Sequence, residues 1–372
     1  MDKNTLYDRA TLMMEHSARN GVDVSAYWLG YTRNILLETD LVADDPLSEN
    51  LFFAQTFSGG SVGFGKPAAP ANLFNRLLSL IVSRPFSERI AWGIRNAPLY
   101  KTVFGPFFRL TQTLRNANKV RDAAAEIYVI SVQHLFSLLK DDIKKFALSP
   151  RKRPSADDVD VVRHDPSAGQ YSRESLYRFA IFLHFNELVQ FKDKTILEIG
   201  TGTGEFARVA LSVGQLKRYI LVDIAPTLAF AERVLEDEFG AEKIDRFDPN
   251  RTSIDYDDGK IATVLTPDQL PLVKDIDIGI NQASFGEMSQ EIVETYVSHV
   301  VATTVTDFIS INHRGGKPNN KDTMGMTEYT KFFGPSFEIA RKESFEYVTL
   351  MPEFFEDQPD IEDYQLLHFK RK

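Results

Sequence analysis

The residues best suited to do chemistry gather in one stretch, Thr195 to Glu205, which reads T-I-L-E-I-G-T-G-T-G-E. Thr195-Ile196-Leu197 predicts a strand that runs into the carboxylate of Glu198 and then into alternate glycines, Gly200, Gly202 and Gly204, with Thr201 between the first two. A helix pattern follows at once, with Phe206, Val209, Ala210 and Val213 spaced to share one face. Glycines at a strand-to-helix turn let the backbone bend sharply and let a ligand lie against it without meeting a Cβ. The chemistry implied is the holding of a nucleotide-like molecule.

Charge narrows the choice. A dinucleotide needs Gly-x-Gly-x-x-Gly so that pyrophosphate rests on the helix N-terminus. The residue three after Gly202 is Glu205, whose carboxylate repels phosphate at that position. S-adenosylmethionine carries no phosphate but has a cationic sulfonium and ammonium, and Glu198 puts negative charge beside them. A second predicted strand, Tyr219-Ile220-Leu221-Val222, ends at Asp223, nineteen residues past Gly204, with Ile224 next. That spacing suits a carboxylate accepting hydrogen bonds from both ribose hydroxyls. The expected cofactor is S-adenosylmethionine.

Further candidates lie where later strands end, because ligands in open α/β sheets bind beyond the strands' carboxyl ends. Asn281, Gln282, Ser284 and Glu287 follow one predicted strand, Ile276 to Ile280, and are expected where cofactor and acceptor meet. Thr266, Pro267, Asp268 and Gln269 follow Ile261 to Leu265, where an adenine amino group is expected to find an acceptor. Tyr171 and Arg173 open a predicted helix, Tyr171 to Leu188, and could cover the methionine end. For a general base, His313 after Phe308 to Ile311 ranks ahead of Glu287, since imidazole titrates near neutrality. Glu287 would need a pKa raised by burial. Methylation of adenine amino groups usually goes with Asp/Asn-Pro-Pro-Tyr at this place, and Asn281 stands here without the prolines or the aromatic. No clustered carboxylate or His spacing commits to a metal.

The runs E-I-G-T-G-T-G-E-F-A, Y-I-L-V-D-I-A-P-T-L-A-F-A-E-R-V-L and I-N-Q-A-S-F-G-E-M together resemble the bacterial sugar O-methyltransferase family, across about residues 171 to 312. Thr201 departs from the small residue usual after the family's first glycine. The resemblance implies a class I methyltransferase, a sugar or glycan hydroxyl as acceptor, and a place in surface polysaccharide or lipid-linked glycan biosynthesis. A small natural-product hydroxyl is the alternative acceptor, and a non-catalytic scaffold of a membrane-bound glycan assembly is the alternative outside enzymes.

The elements that must position these residues follow from the apolar pattern. Strand and helix alternate from Tyr171 onward: Leu228 to Phe239 and Ile292 to Val300 read as helices between the strands already named. Alternation of this kind predicts a parallel sheet covered on both faces. Phe345 to Met351 and Tyr364 to Phe369 read as a closing antiparallel pair. The expected fold is therefore α/β, a Rossmann-like class I methyltransferase sheet with a C-terminal antiparallel hairpin. Ahead of it, residues 1–165 read as a mainly helical N-terminal domain and linker, the methyltransferase domain being 166–372. Helices are predicted over Leu6 to Met14, Ala26 to Leu37, Leu73 to Val82 and Ala123 to Phe146, and the charged, Pro-bearing stretch Arg151 to Gln170 as linker. The glycine-rich loop Gly59 to Gly65 lacks the Gly-Lys-Ser/Thr ending of a phosphate cradle.

Composition sets the outer limits. A length of 372 residues with 43% apolar content supports a large core. A net charge of −9 argues against a dedicated nucleic-acid binder, and the absence of Cys removes disulfides and thiolate metal sites. No signal peptide and no membrane-spanning run is visible, so a cytoplasmic protein is expected. Within the acidic whole, Phe74 to Arg121 is basic and aromatic, with Glu88 its lone acid. That segment reads as a solvated helical face or as a contact for anionic lipid head groups, which would place the protein peripherally at the inner face of a membrane.

Overall fold

The computed structural model describes residues 6–22, 123–150, 171, 173–225, 227–313, 329–345 and 364–372. The expectations for 26–37, 59–65, 73–82, 74–121, 151–170 and 346–351 lie outside the described residues. Helices α1 (Leu6–Arg19) and α2 (Ala123–Phe146) come first, the second with the bounds its apolar spacing predicts. Then α3 (Arg173–Leu188) leads into β1 (Thr195–Ile199), α4 (Glu205–Val213), β2 (Arg218–Val222) and α5 (Thr227–Phe239). The short β3 (Ile244–Asp245), β4 (Ala262–Leu265), β5 (Ile278–Gln282), α6 (Gln290–Ala302) and β6 (Asp307–His313) follow. The hairpin strands β7 (Phe337–Ser344) and β8 (Tyr364–Arg371) close the chain.

Among the described residues the sheet has eight strands in the order β3-β4-β2-β1-β5-β6-β8-β7. The first six in sequence are parallel, and β8 runs antiparallel to both β6 and β7. Every residue of β1, β2, β4 and β5 is buried, which is why these strands read as continuous apolar runs instead of alternating ones. Alternation survives in the choice of face. Ile196, Tyr219, Leu221 and Val264 enter one core with α1 to α5, while Leu197, Ile199, Ile220 and Val222 enter the other with Phe285, α6 and Phe308.

One reading is corrected. The outer hairpin strand is Phe337–Ser344, not one beginning at Phe345, because F-E-I-A-R-K-E-S lies on the sheet edge with most side chains in water and so shows no apolar pattern. Arg341 and Lys342 put exposed charge on this strand, which is the last of the sheet among the described residues, and such charge disfavours pairing with another chain. Leu6, Ala10 and Met13 of α1, and Leu135, Leu139 and Ile143 of α2, belong to the same cluster as α3, α4 and α5.

Strand β1 pairs with β2 on one side and β5 on the other, so the winding direction reverses between β1 and β5. A crevice opens at such a reversal, outside the carboxyl ends of the strands. The glycine bend after β1 and the turn after β5 both stand at this crevice.

Candidate functional site

The bend is built by three left-handed glycines: Gly200, Gly202 and Gly204 have φ of 76°, 58° and 76°. Two of them do different work. A Cβ on Gly200 would meet Ser284 Oγ at 2.0 Å and Ser284 Cβ at 2.4 Å, so the bend after β1 packs directly on the turn after β5. A Cβ on Gly202 would meet nothing within 4 Å. Backbone is thus laid bare at Gly202 on the open side, the cradle that a ligand needs.

Carboxylates surround that opening. Asp223 follows β2, and its two oxygens accept from Gly202 N (2.6 Å) and Ile224 N (2.7 Å). Burial pushes its pKa up to about 7, the two backbone N–H groups offset part of this, and the charges of Glu198 and Glu287 add to it. Glu198 is itself buried and accepts from Thr201 Oγ1 (2.9 Å), Tyr219 Oη (2.9 Å) and Gln282 Nε2 (2.9 Å). Burial lifts it to about 7 against those hydrogen bonds and the charge of Arg178. Burial therefore holds two carboxyls well above the ordinary carboxylate range, and Glu287, buried in the single turn Phe285–Glu287, adds charge close enough to act on Asp223. A cation placed among them draws them into the ionised form, whereas a phosphate meets repulsion. The donor set fits a sulfonium cofactor.

Glu205 plays a different part from the one its position suggests. Its carboxylate accepts from Ser175 Oγ (2.5 Å) and from Arg208 Nε and Nη2 (3.0 and 2.8 Å), all of them buried, so its charge is neutralised in the contact between α3 and α4. The barrier to phosphate comes from Glu198, Asp223 and Glu287.

Asn281 is also redirected. Its Nδ2 donates to Ile199 O (2.8 Å) and Ser284 Oγ (2.6 Å), and its Oδ1 accepts from Phe285 N (3.3 Å) and Asn312 Nδ2 (2.7 Å). An amide side chain has two donors and two acceptor lone pairs, so none is left for a cofactor. Asn312 adds a bond from Gly286 N to its Oδ1 (3.2 Å) and one from its Nδ2 to Ser310 Oγ (2.8 Å), and Ser310 meets the hydroxyl of Tyr329. This buried polar chain fixes the turn that carries Glu287. Phe285, stacked on Phe308 and Tyr296 and edge-on to Tyr329, fixes it from the apolar side.

Tyr171 donates its hydroxyl to Leu148 O (3.0 Å) and stacks on Phe136, so it ties α2 to the start of α3. His313 ends β6 opposite Tyr364, and its side chain lies outside the described residues. Thr266 and Asp268 stand just past β4, with Thr266 Oγ1, Asp268 Oδ1 and Gln269 Oε1 buried and without a hydrogen-bond partner among the described residues. Among those residues, too, no group of three His, Asp or Glu side chains is arranged to hold a metal ion.

Two participants escaped the sequence reading. Arg178 donates to Glu174 (2.6 Å) and to Gln282 Oε1 (3.0 Å), whose Nε2 in turn serves Glu198. The signal was a lone cation in the apolar run Y-R-F-A-I-F. Tyr219, in register with Ile196, carries a buried hydroxyl that must find a partner on the neighbouring strand, and Glu198 is within reach.

No protein-family model and no curated protein matches this chain. Among solved structures, the magnesium protoporphyrin IX methyltransferase of Synechocystis PCC 6803 with bound SAM is similar at 14% identity and a TM-score of 0.38, over 58% of this chain and 83% of that one. A SAM dependent methyltransferase from Aquifex aeolicus is similar at 10% identity and a TM-score of 0.37, over 54% and 93%. The geranyl diphosphate C-methyltransferase of Streptomyces coelicolor A3(2), in complex with Mg2+, geranyl-S-thiolodiphosphate and S-adenosyl-L-homocysteine, gives 13% and 0.37, over 52% and 76%. At these values the likeness assigns no activity, and the geometry of the site carries the functional reading.

Proposed function

We propose that this chain is an S-adenosylmethionine-dependent O-methyltransferase whose acceptor is a sugar or glycan hydroxyl. One observation carries the cofactor: a glycine bend, open at Gly202, stands at the sheet's reversal point beside Asp223, with Glu198 and Glu287 close enough for their charges to act on that carboxylate. The bound cofactor supplies an electrophilic methyl carbon on a positively charged sulfur. Asp223, fixed by Gly202 and Ile224, accepts from ribose hydroxyls with its remaining lone pairs. Glu198 faces inward, holding Thr201 and the end of β5 while lending its field to the site. In-line methyl transfer depends mostly on alignment, and the rigid turn after β5 provides it on the acceptor side. Glu287 on that turn and His313 at the end of β6 are the groups proposed to take the hydroxyl proton.

The motif resemblance over residues 171 to 312 supports the sugar acceptor, and with it glycan assembly. Among the described residues no helix is long and apolar enough to cross a membrane. The basic segment 74–121 is proposed to touch anionic lipid, which pelleting with phosphatidylglycerol vesicles at low and high salt would check.

Calorimetric titration with S-adenosylmethionine tests the cofactor, and absence of binding removes the enzymatic reading. Turnover on nucleotide sugars and glycan extracts, against small aromatic hydroxyls, tests the acceptor. Methyl transfer confined to the aromatics removes the sugar half. Glu287→Gln and His313→Ala, with cofactor affinity followed in parallel, identify the base as the variant that loses turnover while still binding.

A further inference from the structure

Helix α1 docks on α5, Phe247 and the turn after β4 from far away in sequence. Arg9 makes a two-pronged bond to the buried Glu232 of α5 (2.6 and 2.7 Å) and donates to Phe247 O (3.0 Å). One helical stretch further on, His16 Nε2 bonds Asp268 Oδ2 at 2.6 Å, its ring edge-on to Phe247 at 5.2 Å between centroids. Both partners of that pair are mostly out of water, at 13% and 14% side-chain exposure.

Asp268 belongs to the turn Pro267–Leu272 directly after β4, beside β2, whose end carries Asp223. In this turn Thr266 Oγ1, Asp268 Oδ1 and Gln269 Oε1 are buried without a partner among the described residues. Acceptors removed from water and left unmet are costly, so a turn holding several implies a donor-bearing ligand edge. A carboxylate gripped through one oxygen can turn only about the axis of that grip, and its other oxygen is thereby aimed.

We infer that His16 is a positioning residue for base recognition: by holding Asp268 Oδ2 it fixes the carboxylate so that the 6-amino group of adenine, and not a 6-oxo group, is accepted after β4. This rests on the S-adenosylmethionine reading and adds a recognition element from the N-terminal region. A hydrogen-bonding site built for an amino donor rejects the carbonyl analogue because two acceptors then face each other unpaired.

The test titrates S-adenosylhomocysteine and its 6-oxo counterpart, S-inosylhomocysteine, into the full chain by calorimetry. Wild type should prefer the amino compound by about tenfold or more. His16→Ala should cut that ratio to about threefold or less, and His16→Gln, whose amide N–H can still reach Asp268, should restore most of it. Arg9→Ala loosens the same helix without touching Asp268, so it should weaken both compounds alike and keep the ratio. A wild-type ratio in His16→Ala overturns the inference, as does an equal loss of ratio in Arg9→Ala. If wild type binds S-adenosylhomocysteine without any preference, the inference alone fails. If wild type binds neither compound, the cofactor reading fails with it.

Discussion

Placing a methyl group on Gly200 or on Gly202 should produce opposite defects, although the two residues share one bend. Both have positive φ, 76° and 58°, so alanine at either carries a left-handed penalty of about 1 to 2 kcal/mol. At Gly200 the new Cβ would also lie 2.0 Å from Ser284 Oγ and 2.4 Å from its Cβ. Ser284 is too short to swing clear without breaking its 2.6 Å bond from Asn281, so an overpacking cost of about 1 to 3 kcal/mol is added. Gly200→Ala should therefore lose roughly 2 to 5 kcal/mol, a large part of a stability of about 5 to 15 kcal/mol. At Gly202 nothing lies within 4 Å, so the fold should lose only about 1 to 2 kcal/mol. That methyl projects into the open face of the bend, however, and S-adenosylhomocysteine should bind at least about tenfold more weakly. Urea unfolding and calorimetry separate the two quantities. Adding Ser284→Gly to Gly200→Ala should recover the packing share and leave the φ penalty. Equal stability losses at both positions, or undiminished binding by Gly202→Ala, would refute the assignment of one glycine to packing and the other to the ligand.

Three other outcomes are expected. Glu198 and Asp223, both raised by burial to about 7, bind protons near neutrality in the folded chain, and a cationic ligand favours their ionised forms; S-adenosylmethionine affinity should rise from pH 6 to pH 8 with proton release, and a flat profile in buffers of different ionisation enthalpy would contradict this. Without ligand the sign reverses: both groups hold protons more tightly folded than unfolded, so their contribution to stability falls as pH climbs from the ordinary carboxylate range to about 7. Burial pushes Asp307 up, but hydrogen bonds from His368 (2.8 Å) and Thr306 (2.8 Å) and the charges of His368 and Lys370 outweigh it and leave the carboxyl below its usual value; Asp307→Asn should cost about 1 kcal/mol at pH 7, and the difference should vanish as acid titrates the wild-type carboxylate, as thermal melts across pH would show. Arg208→Met should lose about 3 to 5 kcal/mol, because it strips a fully buried cation from Glu205 and leaves that charge in the core, and a loss under about 1 kcal/mol in urea unfolding would contradict the pairing.

How far the sequence could be read depended on where each element's information resides. The strand, bend and helix around Gly200 were legible because apolar run, acid and glycines are adjacent in the chain. Asp223 was legible because a short βαβ spacing fixes where the second strand ends. The partners of Asn281 were not legible because a polar residue at a strand end reads the same whether it faces a ligand or another strand. Only the arrival of Asn312 from β6 shows its amide to be fully used. Phe337–Ser344 was missed for lack of a buried face, and Arg178 because its partner Gln282 lies 104 residues away. The contact of His16 with Asp268 left no local trace at all.

The docking of α1 also orders events in time. Its anchors join residues 223 and 252 positions apart, so the helix can find its seat only after the chain has been made through Asp268 and β4 has formed. Closing so long a loop is entropically expensive, and contacts of that span tend to arrive late and leave early. Amide hydrogens of α1 should accordingly exchange through a local opening of its own, well before those of β1 and β5.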